Sequence, residues 1–240
     1  MKKIIFFISF IFLSFFLFAL NVPPLTRAVN DYANVLSSEQ QEELEKYLRK
    51  VDKTSKVQVA LLIIPSLEGE ALEDYSIRVV ETWKLGDEDS DTGALLLIAK
   101  EDKKIRIEVG YGLEKDLTDA LSSKIITRII TPAFKKDDYY NGIKDGLKAI
   151  VAYSLKDKTL IKQSEAIIDK NNDKPPTWLI FGSMVMFFII TSIGRSLGGR
   201  IRRRFGSYRS GSSSYKDRSS NNSFSGKGGR FGGGGASGGW

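Results

Sequence analysis

From Ala94 to Ala99 the chain is apolar at every position, over the length of one strand. A strand without a polar face has to be covered on both sides, so this run demands a sheet with layers above and below it. The charged tip Lys100-Glu-Asp-Lys-Lys104 turns the chain, and Ile105 to Val109 then alternates as a half-buried strand does. Gly110 and Gly112 allow a sharp bend, Thr118 is placed to cap a helix, and Pro132 is expected to end it. Upstream, Ser37 and Gln40 make a capping box ahead of the stripe Leu44, Leu48 and Val51. Val57 to Ile64 is a second strand, continuously apolar in its second half and therefore central. Leu72, Tyr75, Val79 and Trp83 recur at helical spacing, as do Ile143, Leu147, Ile150 and Val151. Helix, strand, helix, hairpin, helix, helix predicts an α/β fold with helices on both sheet faces, a three-layer α/β/α sandwich.

The chain has no cysteine and no histidine in 240 residues. That removes disulfides, the His-based hydrolase triads and the usual zinc sites. Any metal has to be held by oxygen, which favours hard cations such as calcium or magnesium. Charge is divided unevenly. Residues 195–240 hold ten Lys/Arg and one Asp, whereas residues 4–194 hold 24 Lys/Arg against 28 Asp/Glu. The globular part is mildly acidic, which argues against nucleic acid as its partner.

Met1-Lys-Lys and the apolar run Ile4 to Leu20 form an export signal, residues 1–20, either cleaved at Ala19 with Leu17 two residues before it or kept as an uncleaved anchor. The folded domain is expected over 28–155. Residues 156–177 are polar, end in Pro175-Pro176 and read as a linker. Trp178 to Gly194 carries no charge and is followed by an arginine cluster, the pattern of a transmembrane helix over 178–197. The positive-inside rule then puts the tail in the cytoplasm and the domain outside the cell membrane. The basic, Gly/Ser-rich tail 198–240 has too little apolar surface to offset its ordering entropy and is expected to be disordered. It reads as a solvated tail held near the inner leaflet by its arginines, or as one in which Tyr208, Tyr215, Phe224, Phe231 and Trp240 are spaced contacts for a partner or for RNA.

The acidic loop Asp87 to Gly93 matches neither an EF-hand, which needs Gly and Glu where Thr92 and Ile98 stand, nor a haloacid-dehalogenase signature. It reads either as a solvated loop or as a loop aiming Asp91 at a metal. Asp31, Glu108, Glu114 and Asp119 come from separate segments and are expected to gather at one end of the sheet, where α/β folds place ligands. Each also has a structural role open to it. Asp31 can cap a turn, Asp119 can stabilise a helix N-terminus, and Glu108 can face water.

Val29-Asn-Asp-Tyr-Ala-Asn-Val-Leu-Ser, Trp83-Lys-Leu-Gly86 with Gly93, Gly110-Tyr-Gly-Leu-Glu114 with Leu117-Thr-Asp119, and Asp138-Tyr-Tyr-Asn-Gly-Ile143 occur in that order. Together they resemble the TPM domain family, with departures at Thr92 and Lys115. The resemblance implies a compact sandwich and a divalent cation, most often calcium, held in an acidic cleft. Carried onto this chain, the ligands are Asp31, Asp91, Glu114 and Asp119. It further implies a membrane-tethered accessory module that contacts other membrane-associated proteins. The alternative is a metal-dependent phosphatase working through the carboxylates.

Overall fold

The computed structural model describes residues 20–171 and 224–240, which belong to one unit. Residues 1–19 of the expected export signal, the segment 178–197 expected to span the membrane and the tail as far as residue 223, with Tyr208 and Tyr215, lie outside the described residues. Among those described, no helix is long and apolar enough to cross a membrane.

The chain begins with β1 (Val29–Asp31), α1 (Ser38–Thr54), β2 (Gln58–Ile64), α2 (Leu72–Trp83) and β3 (Gly93–Ala99). These give three parallel strands joined by helical crossovers, with Asp31 level with Ile63 and Gln58 level with Gly93. β4 (Lys104–Gly110) returns antiparallel beside β3. Every residue of β2 and β3 is buried, so these central strands are covered on both faces, as the unbroken apolar runs require. The Ser37–Gln40 capping box forms at the start of α1, and Leu44, Leu48 and Val51 face the core. Tyr75, Val79 and Trp83 of α2 are buried in the same core.

After the glycine turn come α3 (Asp119–Ile125), capped by Thr118, a π-helical turn (Ile126–Ile130) and the short α4 (Thr131–Phe134). Pro132 therefore does not end the helix. It has no N–H for the carbonyl of Arg128, and the helix widens ahead of it so that Thr131 N–H reaches back to Ile126 O. The side-chain amide of Asn171 donates to Arg128 O at 2.8 Å. α5 (Tyr139–Ser154) buries Ile143, Leu147, Ile150 and Val151, as its spacing predicts.

Two segments differ from their sequence reading. Most of 156–177 is not a loose linker, because α6 (Lys158–Lys170) starts at the Asp157 cap and buries Ser164 and Ile168. Four apolar side chains, Leu160, Ile161, Ile167 and Ile168, give a polar segment enough of a stripe to dock. The end of the tail is not disordered either. β5 (Phe231–Gly239) pairs antiparallel with β4 and completes a sheet in the order β1-β2-β3-β4-β5. Composition alone predicts disorder because glycines bring no apolar area. The sheet supplies ladder hydrogen bonds and close backbone approach in its place.

Candidate functional site: the groove along β4

Without β5, β4 would be a free edge carrying Arg106 and Glu108 on one face. With β5 in place, Arg106 is 7 % exposed and Glu108 0 %. Alternation along β4 predicts that this face meets water, and it fails because α2 and the tail cover it. Glu108 Oε1 accepts from Ser76 Oγ at 2.6 Å and from Arg106 Nε at 2.5 Å. Arg106 gives two further donors to the tail, at 3.0 Å to Ser237 Oγ and 3.1 Å to Gly233 O. Ser237 Oγ donates in turn to Glu73 of α2 at 2.5 Å. A buried arginine has to have its donors met, and the tail meets two of them.

The tail reaches this edge along a continuous track. Phe224 is buried, with the Arg49 guanidinium 5.8 Å from its ring centroid. Gln58 bridges two segments, donating to Ser225 O and accepting from Gly86 N–H, both at 2.8 Å. Lys227 pairs with Asp52 at 2.5 Å, and Gly228 and Gly229 donate to Lys84 O and Gly86 O. At the far end Trp240 packs edge-on against Phe134, with ring centroids 4.8 Å apart, and lies 6.2 Å from Tyr139. Thr131 Oγ1 donates to Gly239 O at 3.1 Å. The short helix that follows the π-turn thus supplies two groups that hold the C-terminus.

Three of the four carboxylates assigned to a metal by resemblance line this track. Asp91, in a left-handed backbone conformation at φ 50°, accepts from Arg230 N at 2.8 Å and from its Nη2 at 3.1 Å. Asp119 accepts from Gly235 N–H at 2.7 Å. Glu114 and Asp119 line a shallow pocket with Thr118 and Gly232–Gly234. Asp31 is not brought to them. Its oxygens accept from the N–H groups of Ala33, Val35 and Leu36 at 2.8–3.0 Å, which makes it the cap of the turn before α1. The register explains the separation. Asp31 ends β1, level with Ile63 and Ile98, whereas Asp91 precedes the start of β3 at the opposite end of the parallel strands. Carboxylates were expected together at one end, and crossover topology divides them between two.

With the tail docked, this donor set does not fit a hard cation. Asp91 already faces a guanidinium, Asp119 an amide N–H, and Asp31 is committed elsewhere. Among the described residues no group of three or more His, Cys, Asp or Glu side chains is placed to hold a metal ion. Sequence reasoning missed Arg106, Glu73, Ser237, Thr131 and Phe134. The only signal for them was a charged pair, Arg106 and Glu108, in a strand flanked by apolar positions.

A mixed α/β domain whose outermost strand is a glycine-rich C-terminal segment defines a strand-receiving sheet edge. The chain belongs to the TPM domain family, whose match covers residues 29–153. It is similar to the N-terminal domain of a protein from P. gingivalis, at 33% identity and a TM-score of 0.50. That likeness covers 54% of this chain and 82% of the other. A weaker likeness, at 18% identity and a TM-score of 0.44, is to the BA42 protein of the psychrophilic bacterium Bizionia argentinensis, over 52% of this chain and 86% of that one. No curated protein matches the chain.

Proposed function

We propose that this TPM domain is an accessory interaction module that recognises an extended, glycine-rich strand by adding it to the β4 edge. The observation that carries this reading is the ladder from Lys104–Gly239 to Gly110–Phe231, with an arginine–carboxylate pair at one end and an aromatic seat at the other. Strand addition gains affinity from main-chain hydrogen bonds and specificity from the pockets at its ends. In the tail-docked chain the domain holds its own ligand. A membrane-associated protein offering a similar strand is the partner this chemistry fits. The export signal and the uncharged segment 178–194 support a membrane-tethered module with its domain outside the cytoplasm.

The divalent cation implied by the family resemblance belongs, on this reading, to the undocked state, in which Asp91 and Asp119 lose Arg230 and the Gly235 amide. No observation favours the phosphatase reading. The groove is lined by carboxylates, which repel phosphate, and the cation facing them comes from the tail.

A synthetic peptide of residues 224–240, titrated into the chain ended after residue 223, tests the reading. Saturable binding, lost when the peptide lacks Trp240, is expected. Calcium titrated into the same shortened chain should bind more tightly than to the full chain. A peptide that does not bind would remove the strand-recognition function, and equal calcium affinity would detach the cation from these carboxylates.

A further inference from the structure

We infer that residues 224–240 lie in the same compartment as the folded domain, so that the segment between Asn171 and Phe224 begins and ends on one side of the membrane. The cytoplasmic placement expected from the positive-inside rule then does not hold for residues 224–240.

The argument is one of distance. Hydrogen bonds of about 3 Å cannot be made across a hydrocarbon core of about 30 Å. Contacts between tail and domain run from Phe224 at the end of α1 to Trp240 beside Phe134, and they include buried groups on both partners. Placing residues 224–240 on the opposite side of the membrane from the domain would abolish all of them. It would leave the Arg106 guanidinium without two of its acceptors and β4 as an open edge.

The glycines of the tail point the same way. A Cβ at Gly226 would lie 1.6 Å from Trp83 O, and one at Gly229 would lie 2.1 Å from Leu85 O. Both neighbours are backbone atoms that cannot swing aside. A free solvated tail has no need for glycine at these positions, whereas a tail laid on this surface does. The orientation rule rests on the arginines at 195–204, whereas the docking rests on contacts spread over seventeen residues of chain.

The absence of cysteine makes the test direct. Lys50→Cys on α1 and Ser225→Cys in the tail place single thiols at exposed positions. Each full-length variant is treated with a membrane-impermeant maleimide in intact cells and again after permeabilisation. Equal labelling of both in intact cells is the expected result. Labelling of both only after permeabilisation keeps the shared compartment but overturns the extracytoplasmic placement of the domain. Labelling of Lys50→Cys in intact cells with Ser225→Cys reached only after permeabilisation, or the reverse, overturns the inference. A carbodiimide cross-link between Lys227 and Asp52, in sealed membranes of the unmodified chain, reads the docking itself. Its absence would overturn the docking from which the shared compartment is inferred.

Discussion

Replacing Gly235 by alanine in the full chain should release the tail without unfolding the domain. Gly235 has φ +120°, and a Cβ there would lie 1.9 Å from the carbonyl oxygen of Ile107. The backbone conformation alone costs a residue with a side chain about 1–3 kcal/mol. Moving the strand to relieve the clash costs the ladder bonds beside Gly235 and its N–H to Asp119, at about 1 kcal/mol net for each. Together these come to about 4–6 kcal/mol, or roughly 1,000-fold or more in the docking equilibrium. Hydrogen exchange of the full chain reads it as faster exchange over Lys104–Gly110, with β2 unchanged. Gly233→Ala is the control. That residue also has positive φ, at +80°, but its added Cβ would meet only Ile77 Cδ1, at 3.6 Å. It should cost only the conformational strain, about 1–2 kcal/mol. Unchanged exchange over β4 in Gly235→Ala would refute the claim that close backbone approach at this glycine holds the strand.

Three further predictions follow from the same geometry. Asp31→Ala removes the acceptor of three turn amides and should destabilise the domain by about 2 kcal/mol in thermal or urea unfolding, leaving peptide and calcium binding at the groove unchanged. A loss of calcium binding in that variant would return Asp31 to the cation. The Glu73 carboxyl is held below its ordinary value of 4.5, first by the Ser237 hydroxyl, with Arg106 and Lys104 adding to it. Its contribution to docking is therefore complete above pH 4.5 and is lost as the pH falls through the lower docked value. Exchange over β4 should accelerate on acidification in this window, and less so in Glu73→Gln; an identical acid response in the two would exclude Glu73. Finally, Leu20 N lies 3.0 Å from Glu70 Oε2, and Glu70 also pairs with Arg78. Cleavage after Ala19 would turn this amide into an ammonium facing a carboxylate. N-terminal sequencing should then find Leu20 first, and a mature chain beginning elsewhere would dismiss that site.

The sequence by itself determined the parts whose reasons are local. The apolar runs at 58–64 and 94–99 require buried strands, and the Ser37–Gln40 pair starts α1 where its capping box says. The helical stripes of α1, α2 and α5 face inward, and four ordered motifs were enough to point to the TPM family. The family resemblance put Asp91, Glu114 and Asp119 together with Asp31, and the first three line one track beside the tail. Tertiary structure alone decided the rest. Asp31 parts from that group because parallel crossovers put the end of β1 and the start of β3 at opposite ends of the sheet. Helix continues past Pro132 because a π-turn frees the missing hydrogen bond and Asn171, far along the chain, meets the exposed carbonyl. The tail becomes a strand because its stability lies in the edge it joins. Glycine carries no pattern of its own, and its fit is set by the backbone oxygens of Trp83, Leu85 and Ile107 that come within reach only when the sheet is assembled.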